Sequence, residues 1–153
     1  MKLYSVLDPA DPIVFSHFIE MVKKVGTRVG FVEQSSLRIS RDLDYASAFI
    51  ALAPLVELKN VWPGTELLSG KMAQVYSCDQ VLRVAKLLTT FAKSFSNVTY
   101  PTFYEDMHVH CGERLIFFCV SHELDFIFVE TEYTRTFIAD NIGRLVEEPS
   151  DTK

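Results

Sequence analysis

The sequence predicts an α+β fold: a single domain whose largely antiparallel sheet packs against two main helices. Three observations carry this. Residues 11–25 and 79–95 repeat apolar side chains at helical spacing behind capping signals. Residues 114–121 and 126–132 form a hairpin pattern rich in Phe, Ile and Val. Helices and strands are mixed without the strict alternation that a parallel sheet demands. The chain has 153 residues, 48% apolar and 23% charged, a balance that suits one globular domain able to fold without disulfides or metal. Residues 1–147 are assigned to that domain and 148–153 to a polar C-terminal tail.

The elements follow in order. Lys2–Leu7 reads as a first strand, and Asp8-Pro9-Ala10 turns the chain. Asp11 is a good N-cap with Pro12 at the first helical position. Ile13, Val14, Phe18, Met21, Val22 and Val25 then mark one apolar face, and Gly26 stops the helix. Arg28–Glu33 and Ser36–Arg41 alternate as two strands joined at Gln34-Ser35. The alanine-rich segment 44–53 favours a short helix capped by Asp44 and ended by Pro54. Leu55–Val61 is a strand, Trp62-Pro63-Gly64-Thr65 a turn, and Leu67–Ser77 a strand bent at Gly70. Asp79 caps a helix with its stripe at Val81, Val84, Ala85, Leu88, Ala92 and Phe95. Residues 96–106 read as a loop and 136–146 as a last, weaker helix. The expected core includes Phe18, Val22, Phe31, Val84, Leu88, Phe117 and Phe128.

Charge is unevenly spread. Residues 1–100 hold 9 acids and 11 bases, a net of +2, whereas residues 101–153 hold 11 acids and 4 bases, a net of −7. Such asymmetry repels nucleic acid and attracts a basic partner. The acids Glu105, Asp106, Glu123, Asp125, Glu130 and Glu132, interleaved with aromatics such as Tyr100, Phe103, Tyr104 and Tyr133, are therefore the candidate partner-binding residues. Neither a membrane-spanning run nor a signal-peptide h-region is visible, so a cytoplasmic protein is expected. Three cysteines, Cys78, Cys111 and Cys119, fit reduced thiols there.

Catalytic signals are weak. There is no G-x-G-x-x-G, P-loop or G-x-S-x-G pattern. His122-Glu123 opens like H-E-x-x-H, but Phe126 stands where the second histidine would be. His108, His110 and His122, with Cys111 and Cys119 nearby, offer zinc-type ligands at poor spacing. No catalytic or metal-binding residue and no cofactor is therefore assigned.

The pieces Trp62-Pro63-Gly64-Thr65, Val75-Tyr76 before a helix, Glu105-Asp106-Met107, Cys111-Gly112-Glu113 and Ser121-His122-Glu123 share a layout. Over residues 55–130 it resembles that of small bacterial proteins with no assigned activity. The overall profile is similar to the immunity proteins of bacterial polymorphic toxin systems, which are small, often acidic α+β proteins without catalytic motifs. That similarity of class implies a protein-binding module neutralising a basic toxin domain through an acidic face. Two alternatives stand beside it: a small metal-dependent hydrolase using the His108/His110/His122 region, and a structural homodimer built on the 115–131 hairpin.

Overall fold

The computed structural model describes residues 1–34, 44–99 and 104–149. In chain order the elements are β1 (Leu3–Val6), α1 (Pro12–Val25), β2 (Arg28–Gln34), α2 (Asp44–Leu52), β3 (Leu55–Lys59), β4 (Val61–Trp62), β5 (Thr65–Glu66), β6 (Ala73–Cys78), α3 (Val81–Phe91), β7 (Glu105–Cys111), β8 (Arg114–Val120), β9 (Asp125–Val129), α4 (Arg135–Asp140) and β10 (Leu145–Glu147). Eight strands form one sheet in the order β10-β1-β9-β8-β7-β2-β6-β3, and β4 and β5 make a small separate hairpin. Among the described residues all the strand pairs are antiparallel. The expected fold class is what the chain adopts.

Local chemistry accounts for the first helix. The Asp11 carboxylate accepts from the Ile13 amide at 2.8 Å, and Pro12 loses no hydrogen bond because the first helical N–H groups are unpaired anyway. The helix ends where the Gly26 amide donates to the Val22 carbonyl. Helix α3 begins one residue later than its sequence signal implies. Gln80 holds the cap position without a side-chain bond, and Asp79 instead offers its backbone carbonyl to Val81.

One face of the sheet carries the main core. All seven residues named from the sequence, Phe18, Val22, Phe31, Val84, Leu88, Phe117 and Phe128, are buried there. Aromatic rings bridge the layers: Phe18 of α1 lies 4.6 Å from Phe117 of β8, and Phe128 of β9 lies 4.3 Å from Phe137 of α4. Helix α3 packs against both α1 and α2, and α4 against α1. Phe31 belongs to this core, so the adjacent Val32 faces the other way. There Val32, Ala73 and Val75 form a smaller cluster, covered by Trp62 of the β4–β5 hairpin.

Several expectations are corrected. The segment read as a last helix divides in two. Asn141 ends α4 by donating from both its backbone and its side chain to the Phe137 carbonyl. Leu145–Glu147 then pairs with β1, where a strand satisfies backbone groups that a continued helix would leave unpaired. The loop expected over 96–106 ends at Glu105, which opens β7, a strand central to the sheet. The strand predicted over Leu67–Ser77 is broken, since Ser69 and Gly70 both take positive φ. Leu55–Val61 divides at Asn60, with β3 in the main sheet and β4 in the hairpin. The expected strand Ser36–Arg41 lies outside the described residues. No helix among the described residues is long and apolar enough to cross a membrane.

Gly30 shows why one central position tolerates no side chain. It pairs with His108 across β2 and β7, and a Cβ there would sit 2.1 Å from the imidazole Nε2. The Nε2 end of the ring thus occupies the space over the bare Gly30 backbone, buried, with Nδ1 donating to the Asp106 carbonyl at 3.0 Å. Burial lowers the His108 pKa to about 4, overriding that favourable hydrogen bond. An unfolded histidine titrates near 6.5, so the unfolded chain binds a proton that the folded chain refuses between about pH 6.5 and pH 4. His108 is therefore neutral to stability above pH 7 and destabilising below it, by roughly 3 kcal/mol at pH 4. Urea unfolding of wild type and His108→Gln between pH 7.5 and 4.5 measures this. The wild type should lose stability more steeply, and equal slopes would show that the ring protonates without cost.

Candidate functional site

The motif residues that the sequence sets far apart converge on one carboxylate. Asp106 Oδ2 accepts from the Trp62 indole at 2.8 Å and the Thr65 hydroxyl at 2.9 Å. Its Oδ1 accepts from the Ser121 amide at 2.8 Å, and its own amide donates to Ser121 Oγ at 2.8 Å. Asp106 has φ of 45°, a left-handed conformation that is unusual for a side-chain-bearing residue. The β2–β7 register shifts between Gly30 and Val32, beside this turn in the backbone. Gly64 supplies the tight turn between Trp62 and Thr65. Its φ is 83°, and a Cβ would press within 3 Å of Phe118 and Val120. The hairpin therefore lies directly on β8.

Asp106 is only 1% exposed and Glu105 only 4%. Neither can offer charge to a partner from the folded surface, which corrects their place in the acidic face. Asp106 has its oxygens filled by donors, so it acts as an internal fastener for the hairpin.

The histidine and cysteine candidates are not brought together. The β7–β8 turn puts His110 at one end of the two strands, while His122 lies past the other end of β8. His108 is occupied by the Asp106 carbonyl. Burial pushes the Cys119 thiol up to about 12, which keeps it protonated and poorly nucleophilic. Burial also lowers His110, with Arg28 adding to the effect. Among the described residues no group of three or more His, Cys, Asp or Glu side chains is placed to hold a metal ion. The three cysteines are free thiols.

The remaining acids fall into two separate sets at opposite ends of β9. Glu123 and Asp125 lie at the β8–β9 turn. Burial, then Glu123 and Glu148, raises the Asp125 pKa. Glu130 and Glu132 follow the far end of β9. Glu130 lies 3.9 Å from Arg135, and Glu132 lies 2.5 Å from Arg114. Among the described residues no exposed aromatic face joins the two sets, because Phe126 and Phe128 between them point into the core and Tyr104 is buried. Tyr100 and Phe103 lie outside the described residues.

Glu132 does border a concave site. Helices α1 and α4 diverge to leave a cleft of about 370 Å³. His17 of α1 and the buried Asn141 form its inner wall, joined by a 2.9 Å hydrogen bond. Met21, Val25 and Phe137 line it with apolar surface, while Glu20, Glu132 and Asp140 contribute carboxylates and Lys24 an ammonium. Glu20 also pairs with Lys23 at 2.7 Å. Sequence reasoning selects Glu132 but neither Glu20 nor Asp140. Glu20 sits in the segment of net positive charge, and a linear charge count cannot show that α1 folds against the acidic third.

Comparison with family models, curated proteins and solved structures gives no significant match.

The fastener generates a direct expectation. Asp106→Asn keeps the volume but turns an NH₂ group toward donors, leaving buried polar atoms unmatched at a cost of about 2–4 kcal/mol. Trp62 is the sole tryptophan, so its emission reports the hairpin. The variant should show red-shifted emission with near-native far-ultraviolet circular dichroism. Unchanged emission and stability would show that the carboxylate does not hold the hairpin.

Proposed function

We propose that this chain is a protein-binding module of the immunity or antitoxin class, which neutralises a basic toxin domain by docking it at the α1–α4 cleft. The observation that carries this reading is the cleft itself, with three carboxylates around an apolar floor. An arginine or lysine fits such a site, laying its aliphatic stem on Met21 and Phe137 and bringing its charged head to Glu20, Glu132 and Asp140. The Glu20–Lys23 and Glu132–Arg114 pairs are solvent-exposed and contribute little. A partner's cation can therefore exchange with them at small cost. Half-exposed Tyr133, on the rim, supplies a face for cation–π contact. With the buried Glu105 and Asp106 set aside, residues 101–153 still hold 9 acids against 4 bases, which supports the same reading, since opposite charge speeds association.

The test begins with capture of a partner by the full chain and proceeds to kinetics. Glu132→Lys combined with Asp140→Lys should slow association about tenfold or more at low ionic strength, and the difference should shrink as salt screens it. An unchanged on-rate would remove the cleft from the interface. A partner that proves acidic would overturn the electrostatic reading altogether.

A further inference from the structure

Strand β3 ends the sheet opposite β10. It pairs with β6 in unbroken register from Leu55↔Ser77 to Lys59↔Ala73. Among the described residues no strand lies on its other side. Its side chains are unusually bare for a sheet edge: Leu55 is 52% exposed, Val56 47% and Leu58 66%. Val61, just beyond the strand, is also exposed. Edge strands offer unpaired N–H and C=O groups to any other extended chain, and proteins ordinarily blunt them with bulges, prolines or inward charges. No bulge interrupts β3 and no proline lies within it.

We propose that β3 pairs antiparallel with β3 of a second copy of this chain, about a two-fold axis through Leu58. Within the strand, the segment Glu57-Leu58-Lys59 is self-complementary in that register. Leu58 lies opposite its own copy, and Glu57 lies opposite Lys59 of the other chain, twice. The pairing spans Glu57, Leu58 and Lys59 of each copy, because the chain leaves the main sheet after Lys59. Within one chain Glu57 and Lys59 already share a side of the strand, with an ion pair at 2.7 Å between half-exposed groups. Dimerisation would join two such pairs into a four-charge ladder of alternating sign, and directly opposed unlike charges stabilise antiparallel pairing. An axis through Glu57 instead would set two carboxylates face to face. Charge complementarity thus favours a second copy over an unrelated extended peptide. A contact of this kind is isologous and closes at two chains. It uses none of the cleft residues, so it stands independently of the docking proposed there.

Sedimentation of the full chain from about 1 to about 300 µM tests this, because the mass of a modest dimer rises with concentration over such a range. The wild type should shift from monomer to dimer. Glu57→Lys and Lys59→Glu, each on an exposed strand, should keep native circular dichroism and weaken the dimer at least about tenfold. An equimolar mixture of the two variants should dimerise again, because opposite charges then face each other across the axis. A wild type that stays monomeric overturns the proposal, including one that instead binds an extended peptide at β3. A dimer unweakened in both single variants, or not restored by mixing, overturns it equally.

Discussion

A single buried carboxylate organises the second face of this sheet. Asp106 is fully enclosed, and its carboxyl group is answered by three donors from two separate segments: Trp62 and Thr65 of the hairpin, and Ser121 after β8. A carboxylate in that position is costly to bury alone and becomes tolerable only when every donor is present. The hairpin, the start of β7 and the end of β8 are therefore coupled. Displacing any one of them leaves charge or polar groups unmatched in a dry interior. The left-handed backbone at Asp106 and the shifted β2–β7 register are local costs that the same network offsets.

This constraint separates structure from function in the molecule. Helices cover one face of the sheet with an aromatic core, and the fastened hairpin seals part of the other over Val32, Ala73 and Val75. Of the polar residues singled out in the sequence, Asp106, His108 and Cys119 are buried, together with Ser121, whereas His110 and Cys111 are half-buried and His122 is exposed. What remains for recognition is peripheral: the α1–α4 cleft, the acidic turn at Glu123 and Asp125, and the bare edge of β3. A partner is proposed at the cleft and a second copy at the β3 edge. The β8–β9 hairpin has no free strand edge, because β1 and β7 flank it on both sides.

Much of the fold was legible in the residues. Asp11-Pro12 marked the start of α1, and the Phe and Val periodicity identified core positions because burial follows the repeat of the element. β7 was missed for a physical reason. Its alternating positions are Met107 and Val109 toward the core against His108 and His110, and histidines on the second face look like ligands rather than strand residues. β10 was missed because its three residues are held by pairing to β1, at the opposite end of the chain, which no local pattern records. The quoted motif pieces were visible, but a linear string does not disclose that four of their side chains meet. Charge counting overreached in the same way. It found the acidic third correctly, yet could not distinguish the enclosed Glu105 and Asp106 from the exposed Glu123 and Glu132 or the half-buried Glu130.

The most direct test of the fastener is hydrogen exchange at the lone indole. Trp62 is buried, and its N–H donates to Asp106 at 2.8 Å, so exchange requires the hairpin to leave the sheet. The single indole resonance in a ¹⁵N-resolved spectrum at neutral pH should be protected on the order of 10³-fold or more relative to a free indole, as for groups that open only with the core. Exchange at the rate of a free indole would contradict the account, because it would mean that the hairpin opens without disturbing Asp106 and that the rest of the second face does not depend on it.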